Sequence, residues 1–402
     1  MLKLKEKYGC IFLIMAPVAS NYLLLSFVSI GDVFAALGFL LLFSGCAGLQ
    51  KLANQLRFIL TLLLFLLFLF IVFTWGIFQI EPGAYRIFFY CILILLVPYL
   101  VNSTKSFFDI AEKFAIFFSA SIIFQFLLFQ FGFTLPLILP LPRAELDTLE
   151  IIEHVYRSGG WFREPSYFLI FLMPVLIYQA RSAKYLKFSL NSVAAILSTS
   201  SFAFLVLIII FIDHLLSTKT RIQVKLLALL LFVSFVFLIS FIQETVLVAR
   251  FLDILYDGGT LYDRSQILLT YSYEILSPLP NHSASESVLL IIEKTGAWIS
   301  SAAYMLLLFG YLFVAFFILG MTYLRLLPLA LFLFMVTVTH FMSTAFSLYF
   351  ALALYLCYIS PVGADRNRNL HFNLSRRAHG GFDQSNPAPS AVKLCESSRR
   401  EM

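Results

Sequence analysis

Long apolar runs recur from the first residues of this chain to about residue 360, separated by short polar breaks, and that pattern constrains the fold more than any motif does. They fall near residues 9–29, 33–49, 58–78, 84–102, 114–138, 165–180, 224–243, 297–320, 326–340 and 342–360. In helical form about 20 apolar residues cross the hydrocarbon layer of a bilayer, and a helix satisfies its own backbone polar groups. Transmembrane strands would alternate with a period of two, and no such alternation is present. The composition agrees: 61% of the residues are hydrophobic, 12% are charged and 46 are Phe, more apolar surface than one soluble core can hide. The expected fold is all-α, that of a polytopic integral membrane protein.

The stretch 186–216 reads either as one long helix or as two short ones meeting at the polar "STSS" of Ser198–Ser201. Cytoplasmic connections collect Lys and Arg, which decides between them. Two helices give a chain of about 12 spans, by the helix-length rule, with both termini cytoplasmic. Only seven of the 28 basic residues then lie outside: Arg86, Arg143, Arg157, Arg163, Arg250, Arg264 and Lys294. One helix would turn "STKTRIQVK" outward and invert every later connection. The net charge of +6 is thus a matter of topology, not of nucleic acid.

Two long outer loops result, near 139–164 and 244–296. The first apolar segment lacks a small-residue cleavage site and is expected to stay as a helix. Five cysteines sit in apolar segments or the tail without a CxxC pair, which indicates neither a disulfide framework nor a zinc site. Residues 361–402 are polar and without periodicity, and are expected to form a disordered cytoplasmic tail behind a transmembrane domain of residues 1–360.

Six of the seven outward basic residues lie in the two long loops. One reading is an anion site, because the planar fork of Arg matches phosphate oxygens and keeps its charge. The other is simple balance, with Arg143 and Arg157 offsetting Glu145, Asp147, Glu150 and Glu153. Arg163 stands apart because it adjoins Glu164 and Pro165 at a helix entrance. Pro at the first helical position makes Glu164 the cap residue, where a carboxylate complements the helix dipole. The same carboxylate could orient Arg163 toward a ligand, while Gly159 and Gly160 permit close backbone approach. Pro174 is expected to kink the span that follows.

In the second loop, a helix capped near Asn281 would set His282, Glu286 and Glu293 on one face, since four and eleven residues are close to whole turns. A neutral imidazole at His282 could take a proton from a sugar hydroxyl, or could simply be solvated. Arg264 follows Asp263 and is either its ion-pair partner or an anion ligand. Trp161, Tyr256 and Tyr262 suit sugar stacking or, more commonly, the membrane interface. The chain has no GxxxxGK[ST], HExxH or GxSxG motif, and no early outer loop carries an acidic pair of the kind that anchors a metal. Arginines serving phosphates without a metal are the economical alternative.

Taken in order, these residues resemble the bacterial O-antigen polymerase and O-antigen ligase superfamily of membrane glycosyltransferases. The likeness covers about residues 150–360. "RSGGWFREPSYF" is similar to the family's Arg, Gly, Phe, Glu-Pro, aromatic pattern at the start of a span. "ILSTSSFAFLVLIIIF" looks like its Ser/Thr-rich break between two helices. "YDRSQ" stands where the family carries an outer-loop Arg, and "SVLLIIEKTGAW" is similar to its leucine-rich helix ending in Glu and Gly. The paired last spans end in "HFMSTAFSLYFALALYL". Three departures stand out: no Arg follows the Ser of the break, Glu293 and Gly296 are three apart, and His282 stands far ahead of Glu293.

The resemblance implies an inverting, metal-independent and cofactor-free transfer between undecaprenyl pyrophosphate-linked glycans at the outer face of the bacterial inner membrane. Arg163, Arg250 and Arg264 would hold the pyrophosphate, with Arg157 in support and Glu164 setting the geometry of Arg163. His282 would be the acceptor base, with Glu286 or Glu293 as second choice. Membrane lipid surrounds such a protein, and a chain-length regulator and a flippase are its candidate partners. The alternative within the family is a ligase that moves finished glycan to a lipid A core or another acceptor. A transporter or flippase for the lipid-linked oligosaccharide would show internal repeats and mid-membrane charges, and neither is evident.

Overall fold

The computed structural model describes residues 2–25, 28–45, 97, 100, 104–133, 159–162, 164–198, 200, 284–295 and 344–359, with short pieces inside 203–211, 266–275 and 300–319. The expected spans 58–78, 224–243 and 326–340, most of 84–102, most of both long loops and the tail 361–402 lie outside these residues. The described part is mostly helical.

The chain opens with helix α1, Leu2–Ala19. It ends ten residues before the limit expected from the apolar run 9–29. Pro17 stands in its last turn, the Ser20 hydroxyl donates back to the Pro17 carbonyl at 2.6 Å, and Asn21 leaves the helix. The apolar residues that follow satisfy their backbone in another way. Strands β1 (Leu23–Leu25) and β2 (Val28–Ser29) pair antiparallel, Leu23 opposite Ser29 and Leu25 opposite Val28. This small hairpin departs from the expected all-helical pattern.

Helix α2, Ile30–Gly45, starts from a reciprocal cap. The Asp32 amide donates to Ser29 Oγ at 3.1 Å, and the Ser29 amide donates to the Asp32 carboxylate at 3.0 Å. This is the capping-box pattern, with Asp where Glu is usual. α2 runs back antiparallel along α1 through glycines. A methyl group at Gly31 would lie 2.4 Å from the Ala16 carbonyl oxygen, and one at Gly38 would lie 2.9 Å from the Leu13 amide nitrogen. Small residues let two backbones approach this closely.

Helix α3, Thr104–Gln130, is long and apolar enough to cross a membrane. It begins ten residues before the expected span 114–138 and takes in Lys105 and Lys113. The cause is a buried stripe of Phe108, Ala111, Ala115, Phe118, Ile122 and Gln125, spaced alternately by three and four residues. Average hydropathy misses these first turns because Lys105, Asp109 and Lys113 occupy the exposed side.

Helix α4, Pro165–Arg181, is the centre of the described core, with Tyr167 through Ala180 all buried. A helix apolar on every face is one that neighbours cover on every face. α3, α5 (Tyr185–Leu197) and α7 (Thr344–Ile359) supply that cover, and α7 also touches α1 and α2. α4 closes in a Schellman motif: the Lys184 amide donates to the Gln179 carbonyl at 2.9 Å and the Ala183 amide to that of Ala180 at 3.3 Å. Ala183, at φ 56°, takes the left-handed position that Gly usually fills.

Pro174 lies inside α4 and contributes no amide hydrogen. α7 bonds to the backbone around it. The Tyr349 hydroxyl donates to the Phe171 carbonyl at 2.8 Å, the Cys357 thiol to the Pro174 carbonyl at 3.2 Å, and Arg181 Nη1 reaches the Cys357 carbonyl at 2.8 Å. The Tyr349 and Phe171 rings stack at 5.0 Å.

The long apolar stretch after Lys184 does break at "STSS". α5 ends at Leu197, Ser198 Oγ donates to the Ala195 carbonyl at 2.7 Å, Ser200 is not helical, and helix resumes by Ala203. A further described helix, α6, covers Ala284–Thr295, within the range expected for the second long loop.

Candidate functional site

The segment before Pro165 forms a tight turn built on two glycines. The Phe162 amide donates to the Gly159 carbonyl at 3.1 Å, and Gly160 takes φ 65° while Trp161 does not share the positive sign. That combination is the type II′ pattern, which favours Gly at its first central position. Gly159 is needed for a different reason. A Cβ there would stand 2.6 Å from the Glu164 carbonyl carbon, and one at Gly160 would meet Ile122 at 2.9 Å. The close approach expected of this glycine pair is made to the protein's own backbone and to α3.

Phe162 turns inward and is buried. Its ring meets those of Phe118 and Phe171, both at 5.2 Å, and Phe168 at 5.7 Å. Trp161 turns the other way and stays half-buried, stacked on Phe117 at 6.1 Å. Its indole Nε1 donates to Ser121 Oγ at 3.1 Å, and that hydroxyl donates in turn to the Phe117 carbonyl at 2.8 Å. The Trp161 carbonyl accepts from Asn21 Nδ2 at 2.9 Å. The turn is therefore pinned between the exit of α1, the middle of α3 and the start of α4. Neither Asn21 nor Ser121 was expected from the sequence to take part.

Glu164 occupies the N-cap of α4 as expected, with extended backbone at φ −140° and ψ 156° and Pro165 directly after it. Its carbonyl accepts from the Tyr167 and Phe168 amides at 3.1 and 3.4 Å. Its side chain does not cap a backbone amide, and instead accepts from the Ser166 hydroxyl at 3.2 Å. A half-buried carboxylate holding one neutral donor among the described residues keeps lone pairs for a cation or a hydroxyl group.

Arg157, Arg163, Arg250, Arg264 and His282 lie outside the described residues, as do Tyr256 and Tyr262. Glu286 and Glu293 belong to α6, which starts at Ala284, and both are exposed. They share one face, and Val288 and Ile291 bury the opposite one. The two glutamates of the expected face thus lie on one side of α6, directed away from the side that α6 packs, while His282 lies outside the described residues.

A second cluster of charge lies at the other end of α4, about 24 Å away at 1.5 Å per residue. The carboxylate of Glu112 is buried in α3 and receives Lys184 Nζ at 2.8 Å and Lys187 Nζ at 2.6 Å. Lys184 also sits 4.8 Å above the Tyr178 ring, which stacks on Phe108 at 4.0 Å. Burial works to lower the Lys184 pKa, yet the hydrogen bond and charge of Glu112 overcome it and the pKa is raised. Nearby in the core, Asn191 Nδ2 donates to Gln179 Oε1 at 3.0 Å, both side chains being fully buried.

No protein-family model, curated protein or solved structure matches this chain.

Proposed function

We propose that this chain is a polytopic membrane glycosyltransferase that polymerises undecaprenyl pyrophosphate-linked oligosaccharide repeat units into O-antigen or a related surface polysaccharide. In this reading about 12 helices cross the bacterial inner membrane, both termini are cytoplasmic, and the reaction takes place on the outer side. What supports it is the turn at Gly159–Phe162, whose glycines and aromatic anchors lead into the helix start at Glu164 and Pro165, next in sequence to Arg163.

The chemistry is a displacement at the anomeric carbon of the growing chain. The bond from that carbon to the pyrophosphate oxygen breaks, and a bond to a hydroxyl oxygen of the incoming repeat unit forms with inversion. His282 takes the hydroxyl proton, with Glu286 or Glu293 as the second choice. Arg163, Arg250 and Arg264, supported by Arg157, neutralise the charge that grows on the departing undecaprenyl pyrophosphate. Glu164 orients Arg163.

Deletion in the native host tests the assignment. With the gene absent, surface glycan should collapse to a single repeat unit, and an Arg264→Ala copy should fail to restore the ladder. Long polymer held on the lipid carrier and never delivered to its acceptor would make the protein a ligase instead.

A further inference from the structure

We propose that Asn21 is a positioning residue for the reaction, resting on the glycosyltransferase reading above. It acts through the Trp161 carbonyl, which it holds from 140 residues away in sequence. A carbonyl can only accept, so the contact fixes the amide orientation: Nδ2 faces Trp161 and Oδ1 points away. Asn21 is 94% buried, with 6% of its surface exposed, and Oδ1 has no hydrogen-bond partner among the described residues. An orphaned buried acceptor weakens the fold, so Asn at this position is a poor choice for stability alone. What it supplies is a fixed point. Trp161 lies three residues before the Glu164 N-cap, and consecutive Cα atoms are about 3.8 Å apart. Any slack at Trp161 therefore passes into the position of the Glu164 cap.

The path of the chain between the two N-terminal helices fits this contact. Ending α1 at Ala19 puts Asn21 beside the turn, and the β1–β2 pairing returns the chain at once to α2. The Ile30 amide donates to the Tyr22 carbonyl at 2.8 Å and locks the residue that follows Asn21.

Full-length protein in proteoliposomes, supplied with lipid-linked repeat units, provides the test. Asn21→Ala should lower kcat by about tenfold or more, the scale on which small misplacement costs rate. Its melting temperature should stay within about 3 °C of wild type, because the orphan acceptor is removed together with the donor. Asn21→Asp should be equally slow at neutral pH, where the carboxylate cannot donate. It should recover relative to wild type as the pH falls and a protonated carboxyl can donate to the Trp161 carbonyl. Hydrogen exchange gives a readout independent of activity: amides of residues 160–164 should exchange faster in Asn21→Ala. Unchanged exchange there, or kcat within twofold of wild type, overturns the positioning role. Faster exchange in a protein whose wild type polymerises nothing would keep the anchor and reject the glycosyltransferase reading.

Discussion

The hydroxyl of Tyr349 donates to the backbone carbonyl of Phe171 at 2.8 Å, joining helices separated by 178 residues of sequence. The contact falls three residues before Pro174, where α4 lacks an amide donor. Tyr349→Phe keeps the ring stacked on Phe171 and removes only the hydroxyl. It should cost about 1–2 kcal/mol, the range for losing a buried hydrogen bond. Unfolding of the purified protein in mixed micelles measures this, and an unchanged midpoint would show that the hydroxyl adds nothing to the helix around Pro174.

The Glu112 cluster predicts an asymmetry between partners. Removing the carboxylate leaves two half-exposed lysines that water can solvate. Removing both lysines leaves a carboxylate that is 2% exposed with no counter-charge. Lys184→Ala with Lys187→Ala should therefore destabilise by about 3 kcal/mol or more, and Glu112→Gln by less. The pH dependence follows from Lys184, whose pKa is raised in the folded protein. Its contribution is complete below the ordinary value of 10.5 and is lost as pH rises through the folded value. Alkaline unfolding above pH 10.5 should lose this component in Glu112→Gln.

Ala183 holds a left-handed conformation at φ 56° in the Schellman motif that ends α4. Its side chain is exposed, so no packing is lost when it is removed. Ala183→Gly should stabilise the protein by about 1 kcal/mol. A drop in stability would mean that the unfolded-chain entropy of Gly outweighs the relief of the backbone.

The contact from Trp161 Nε1 to Ser121 Oγ can be isolated by a double-mutant cycle. Trp161→Phe and Ser121→Ala remove the same bond, so each should cost about 1 kcal/mol and the pair should cost less than their sum. Strict additivity would show that the two residues act independently.

α4 and the break after Leu197 were legible in the sequence because each rests on local chemistry: an apolar run behind Glu164-Pro165, and a serine, Ser198, that bonds back to its own turn. The end of α1 was not, because hydropathy alone runs straight through "NYLLLSFVSI", although Ser29 and Asp32 spell a helix start in the same segment. The first turns of α3 were hidden because their charged side lowers the average while Phe107, Phe108 and Ala111 are buried. Glu112 with Lys184, and Asn21 with Trp161, join residues 72 and 140 apart, and no spacing rule connects them. The Glu164–Pro165 helix start was therefore legible in the sequence, while the Asn21 and Ser121 contacts that hold the preceding turn were not.

Chain growth on a lipid carrier can be measured directly. Purified protein in proteoliposomes, given undecaprenyl pyrophosphate-linked repeat units and a metal chelator, should produce a ladder of multimers and release one undecaprenyl pyrophosphate for every linkage formed. Arg264→Ala should leave the units unjoined under the same conditions. Repeat units recovered unchanged from the wild-type protein, with a known polymerase active in the same vesicles, would contradict the account.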